Sequence, residues 1–315
     1  MLGLGSGALA EDMAAEAPRR QGIGHVLNSD KWFKWMLIVP LLLVLATFMF
    51  YPMFYCMFFS SQEWGMRAPA EFVGWDNYRT VLHDMTFWLA LGRTFQVLAI
   101  AIVVEIIVGL GIASLFNREF KGQNIVRGLC LLPLLISPLA MSMEWNFIFQ
   151  YDFGVINQVI QNLGGSKIMW WNPDYALYTI TFITVWQWFP FATFVLLAGM
   201  KSLPRDAFEA AKVDGASSWY TFRRLTLPML TPLIMIIVLL RTMWLIRLFD
   251  PLYGTTRGGA NTELLDWMVY RQAFVFFDIG IGSTLAMISL FITMIITAVM
   301  FRELMKAMGV LKAAS

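Results

Sequence analysis

Apolar residues in this chain fall in long runs rather than in the three- and four-residue spacing of a soluble amphipathic helix. Six runs, at about 35–59, 88–116, 125–148, 176–200, 229–249 and 282–302, each match or exceed the ~20 residues that carry a helix across hydrocarbon. Lipid offers backbone groups no hydrogen-bond partner, so each run predicts a helix, which satisfies its own amides and carbonyls. The polar residues collect between the runs. The pattern predicts an all-α, polytopic membrane protein of six transmembrane helices, with one domain over 31–315 behind a flexible tail at 1–30.

Composition agrees. The chain is 58% hydrophobic and 14% charged, whereas soluble proteins carry roughly 25% charged residues. Its net charge of +2 gives no reason to expect nucleic acid as a partner, because the basic residues are scattered between spans. Their distribution does orient the chain. With the N terminus inside, fifteen Lys and Arg fall on the cytoplasmic side and five outside, the bias that sets membrane topology. Both termini and the 201–228 loop are then cytoplasmic. Lys31-Trp32-Phe33-Lys34-Trp35 reads as an interfacial anchor, with indoles at headgroup depth and amines reaching outward. Residues 1–30 hold no apolar run, and the first run is too long for a secretory signal. Cys56 and Cys130 fall near opposite faces, which argues against a disulfide.

The 201–228 loop is the most informative stretch. Ser202-Leu203-Pro204 can start a helix, with Asp206 and Glu209 toward its positive end. Ala207, Phe208 and Ala211 give it a narrow face of small residues with one aromatic knob. Gly215 suits a chain reversal, Ser217 or Ser218 can cap a second short helix ending near Phe222, and Pro228 opens the next span. By composition alone this is also what an ordinary interfacial loop looks like.

Glu209-Ala210-Ala211, then Gly215 six residues after the Glu, then Leu225-x-Leu227-Pro228 closely resembles the EAA loop of bacterial ABC importer permeases. The resemblance implies a type I ABC importer permease fold in the bacterial inner membrane. It further implies that Phe208, Glu209, Ala210, Ala211, Asp214 and Gly215 form a coupling helix and turn seated in an ATPase. Shorter matches run from about 72 to 290: Phe72-Val73-Gly74 with Asn77-Tyr78, Trp145 with Gly154-x-Ile156-Asn157, Trp186 to Phe191, Arg241-Thr242, Gly258-Gly259, and Tyr270 to Phe274. They are similar to the first of two unlike permeases in carbohydrate importers of the maltose and glycerol-3-phosphate type. Ala260 departs from that pattern, where Pro commonly follows the Gly pair. The implied partners are a second permease, two ATP-binding subunits, a periplasmic substrate-binding protein and membrane lipid. The chain has no phosphate-cradling G-x-x-x-x-G-K-[ST], so no cofactor is expected on it; ATP and Mg belong to the partner ATPases, and the subunit is expected to be non-catalytic.

Charge inside a bilayer is costly and marks functional candidates. Arg241 counts to the outer half of its span, Glu144 and Arg93 to similar depth, and Glu105 deeper toward the cytoplasm. Two readings stand. Glu144 pairs with Arg93 or Arg241 as a structural tie, or these groups line a polar substrate pathway. Trp145, Trp186, Trp188 and Trp244 would then stack on sugar faces, with Asn146 and Gln187 orienting hydroxyls. An anionic sugar held by Arg93, Arg241 or Arg247 is the narrower alternative, and an ion-coupled secondary transporter the more distant one. His25 in the tail and His83 in an outer loop suit no intramembrane enzyme.

Overall fold

The computed structural model describes residues 30–66 and 69–308. All of the 1–30 tail except Asp30 lies outside them, as do the side chains of Lys31 and Trp32 in the expected anchor. The chain forms helices α1 (Asp30–Leu45) and α2 (Tyr51–Ser60), joined by a π-helical turn at Ala46–Phe50, and a small antiparallel pair, β1 (Gln62–Glu63) and β2 (Glu71–Phe72). Next come α3 (Asp76–His83), α4 (Met85–Phe116), α5 (Gln123–Leu135), α6 (Pro138–Ile148), α7 (Val155–Asn162), α8 (Ala176–Ser202) and α9 (Arg205–Val213). The last elements are α10 (Ser218–Thr221), α11 (Leu227–Leu245), α12 (Asp250–Tyr253), α13 (Leu265–Tyr270) and α14 (Ile279–Ala307), with further π-helical turns at Phe222–Thr226 and Arg271–Val275.

Residues up to Tyr55 form one unit and Cys56–Ser315 a second. The described residues of the first unit form an apolar helix with none of its described side chains buried. In the second, α4 packs along α8 more extensively than any other pair of elements. Gly109 makes that approach possible: a Cβ there would sit 2.9 Å from the Ala192 Cβ and 3.0 Å from the Thr193 N. Ala113, Ala192, Leu196, Leu230 and Ile237 close the core at that level. Buried Thr181, Thr184 and Thr193 return their hydroxyls to the carbonyls of Leu177, Ile180 and Phe189, which satisfies these three groups within the apolar interior. Asp84 starts α4 by accepting from the Thr86 N–H, and Asp278 starts α14 by accepting from the Ile281 N–H, both side-chain N-caps.

Among the described residues, five helices are long and apolar enough to cross a membrane singly. The 125–148 run is bent, and makes a sixth span if the bent pair is counted as one. It is split into α5 and α6, whose axes differ by 98°. Ile136 and Ser137 between them are extended, because the residue before Pro138 is pushed out of the helical region and Pro138 brings no N–H to continue the ladder. The carbonyl that the break frees at Ile136 accepts the Gln187 side-chain amide at 3.1 Å.

Proline acts differently in two other helices. Pro52 and Pro228 lie two residues past the π-helical turns at Ala46–Phe50 and Phe222–Thr226. The carbonyl four residues before each proline falls in the middle of its turn, where the ring would otherwise clash; widening to a π turn relieves the clash. Pro228 therefore does not open the fifth span. The helix runs unbroken from Ser218 to Leu245, and the expected second short helix is its first turn.

Candidate functional site

Helix α9 and its turn stand at one end of the spans. Pro204 precedes the helix, Asp206 lies in its first turn and Lys212 in its last, the charge order that suits a helix dipole. Termination is specific: the Gly215 N–H reaches the Lys212 carbonyl at 3.2 Å and the Ala216 N–H reaches Ala211 at 2.9 Å. This paired closure requires a left-handed residue, and Gly215 supplies it at φ +74°. Ser217 then caps the following helix by accepting from the Tyr220 N–H at 3.2 Å.

No residue of α9 is buried. Glu209, Ala210 and Asp214 are exposed and Ala211 half-buried. Phe208, the aromatic knob of the narrow face, is half-buried and lines, with Glu209, a cavity at the base of the helix. The protruding apolar side chains are Val213, 88% exposed, with Trp219 and Tyr220 across the turn. A β-branched apolar residue at the helix end was the signal for them.

The intramembrane charges resolve differently from expectation. Arg241 donates through Nε and Nη2 to the two carboxylate oxygens of Glu105, both at 2.6 Å, and both side chains are buried to within 1%. Glu144 is exposed and pairs with neither Arg93 nor Arg241. The Arg241 and Glu105 side chains therefore meet at one depth, where Glu105 was expected deeper toward the cytoplasm. Helix α4 ends, and the span leading into α11 begins, around the same cavity, so the two helices run antiparallel. Side chains tilt toward their own helix N terminus, which brings the Arg241 guanidinium back along α11 and the Glu105 carboxylate back along α4 until they meet. The Arg241 guanidinium also lies 4.6 Å from the centroid of the Trp188 ring, and Trp188 packs against Trp244 at 4.1 Å.

The proposed pathway residues thus separate into two groups. Arg241, Trp188 and Trp244 form one. Trp145 and Trp186 form another, 5.2 Å apart and packed with Phe149 and Phe182. Gln187, buried, serves the α5–α6 break, and Asn146 donates to the Gly254 carbonyl at 3.4 Å. Arg93 lies apart, 3.5 Å from the Asn261 side chain.

Motif residues away from α9 hold loops. Buried Asn157 donates to the Tyr151 and Ile168 carbonyls and accepts from the Ile168 N–H and the Trp170 indole. Asn77 donates to the carbonyls of Ser60 and Gln62. In the loop between α12 and α13, Arg257, Gly258, Ala260 and Asn261 all have positive φ. Ala260 at φ +51° adopts a conformation closed to proline. Beyond it Glu263 pairs with Arg271 at 2.8 Å. Burial raises the Glu263 carboxyl above its usual range, against the opposing pull of Arg271. Asp266 is likewise raised, first by burial and opposed by Arg247.

The family described as the binding-protein-dependent transport system inner membrane component matches residues 105–307. The chain belongs to this family. The permease is 33% identical over 289 residues to the probable ABC transporter permease protein y4oQ of Sinorhizobium fredii, covering 90% of this chain and 92% of that one. It is 32% identical over 289 residues to the sulfoquinovosyl glycerol transport system permease protein SmoG of Agrobacterium fabrum, covering 86% and 93%. With the trehalose/maltose transport system permease protein MalF of Thermococcus litoralis it shares 31% over 272 residues, 84% and 91% of the chains. A crystal structure of a bacterial ABC transporter involved in the import of the acidic polysaccharide alginate superposes with a TM-score of 0.74 at 18% identity, over 87% of the permease and 96% of that chain. At that identity it establishes the fold, that of an importer permease. The permease is a non-catalytic, multi-pass membrane component.

Proposed function

We propose that the permease is one of two unlike membrane subunits of an ATP-driven importer for a sugar, polyol or related carbohydrate, with α9 and its Gly215 turn as the element that an ATPase grips. The observation that carries this is the tip of α9: a nine-residue helix closed by a left-handed glycine, with Val213 88% exposed between two spans. An exposed apolar tip among charges is surface for a partner. On this reading α9 faces the cytoplasm, in keeping with the Lys and Arg bias. Two ATPases bind ATP and Mg, a periplasmic binding protein delivers substrate, and closure of the ATPases moves the permeases through α9. The carbohydrate assignment draws on the relatives named for trehalose/maltose and sulfoquinovosyl glycerol.

A neutral and an anionic carbohydrate remain distinct readings. Arg241 is already neutralised by Glu105, so an anionic sugar would need Arg93 or the exposed Arg247. The relative named for sulfoquinovosyl glycerol favours keeping this version. Titrating the cognate binding protein with neutral and acidic sugars separates the two: preference for acids supports the anionic version, and indifference to charge removes it.

Affinity purification of the tagged permease tests the assembly, with recovery of an ATPase and a second permease expected. Gly215→Pro should abolish substrate-stimulated ATP hydrolysis by the complex while the spans stay folded, since proline cannot take φ +74°. Full stimulation in that variant would remove α9 from the coupling role. Glu209→Lys should reduce ATPase recovery, and unchanged recovery would exclude Glu209 as a contact.

A further inference from the structure

Behind α9 lies a cavity of about 860 Å³, bounded by the end of α4, the start of α5, the end of α8, α9 and the turn that leads into α11. It sits where these helices leave their apolar runs. Five cationic side chains line it: Arg118, Arg127, Lys201, Arg205 and Lys212. Two acids, Glu119 and Glu209, line it as well, but among the described residues neither comes within 4.0 Å of a cationic group.

The usual employment for cations at helix ends is to cap the last carbonyls. Here that position is filled. The Phe116 carbonyl at the end of α4 accepts from Arg127 Nη2 at 2.5 Å and from the Gln123 side-chain amide at 2.6 Å, and the same Gln123 amide reaches the Arg118 carbonyl. Arg127 is held in place by these contacts, yet its Nε is buried and has no acceptor. The side chains of Arg118, Lys201, Arg205 and Lys212 make no ion pair or hydrogen bond among the described residues. Four exposed, unpaired cationic residues border one concavity, beside a fifth whose buried Nε has no acceptor.

We propose that this cavity binds a phosphate-bearing anion at the membrane surface. Its oxygens would accept from the buried Arg127 Nε and from the side chains of Arg118 and Lys201. A phosphate carries enough acceptors to engage several donors at once, and basic pockets between spans suit anionic headgroups. An anionic phospholipid and a soluble phosphate share this chemistry. The three groups proposed as contacts, on Arg118, Arg127 and Lys201, lie off α9, which supplies part of the cavity wall.

The test uses the complex as purified, carrying Arg118→Gln with Lys201→Gln, in nanodiscs of phosphatidylcholine with or without phosphatidylglycerol. Native mass spectrometry counts the retained phosphatidylglycerol, and thermal shift against inorganic phosphate, with chloride at equal ionic strength, reports the soluble anion. Loss of two cations should lower retention or phosphate affinity by about thirtyfold, while the charge-keeping pair Arg118→Lys with Lys201→Arg stays near wild type. A change in lipid retention assigns the site to a headgroup, and a change in the phosphate response alone assigns it to a soluble phosphate. The proposal fails if neither changes, if chloride acts as phosphate does, or if the charge-keeping pair loses binding too. It fails equally if the only effect is poorer recovery of an ATPase, which would assign the cations to a protein partner.

Discussion

Charges in the bundle interior and charges around α9 are managed in opposite ways. Glu105 and Arg241, fully buried, satisfy each other with two short bonds, and Trp188 covers the guanidinium. Around α9, Glu209, Lys212 and Arg205 stay exposed and unpaired. A charge withdrawn from water must find its partner within the fold, whereas a charge at the surface can wait for another molecule. The first region therefore reports on how this chain holds itself together, and the second, on the proposed function, on what it would hold. Sequence motifs mark both, Arg241-Thr242 and Glu209-Ala210-Ala211, but they mark different obligations.

Breaking the interior pair should have the largest effect. Glu105→Ala leaves Arg241 buried and unpaired, which costs about 3–5 kcal/mol, so the variant should lose most of its folded yield in detergent. Replacing both partners, as in Glu105→Leu with Arg241→Met, should recover much of that stability; if the double variant is no better than the single, the charge-burial account is wrong. Gly109→Leu comes next. Its side chain has no room against Ala192 and Thr193, and overpacking of about 1–3 kcal/mol should separate α4 from α8 and lower the unfolding temperature without touching any charge.

Surface substitutions on α9 should instead leave thermal stability within about 0.5 kcal/mol and change only what co-purifies. Finding Glu209→Lys as destabilising as Gly109→Leu would erase the contrast between the two regions.

The smallest effect is expected at Asp266. Burial raises its pKa, so the folded state binds this proton more tightly than the unfolded one. The stabilisation is present when Asp266 is protonated, below the unfolded value, and is lost as pH rises through the folded value. Asp266→Asn should accordingly raise the unfolding temperature at pH 7.5 by about 2 °C, and the gain should shrink as the buffer approaches the ordinary carboxylate range. A gain independent of pH would show that ionisation is not its source.

Much of this architecture was legible in the sequence because it depends on local properties. Five of the six apolar runs became long helices, and Gly215 and Ser217 took the turn and cap positions that their chemistry favours. The break in the 125–148 run was marked by Pro133 and Pro138, but hydropathy averaged over the run conceals it. The extension of the fifth span back to Ser218 was hidden in the same way, since a proline usually stops a helix and a π turn lets one through. Glu105 stood out as an acid in an apolar run, yet nothing near it in the sequence names its partner, 136 positions away.

The sequence by itself determined that this is a helical membrane protein, where four of its spans lie to within about five residues, and which loop carries the family motif. Those follow from hydrophobicity and spacing, which are read along the chain. Only the tertiary structure decided that Arg241 meets Glu105 rather than Glu144, that Gln187 closes a broken helix, and that Phe208 and five cations line one cavity. Each depends on which helices lie side by side and on the tilt of their side chains toward their own N termini, and neither is written in the order of residues along one helix.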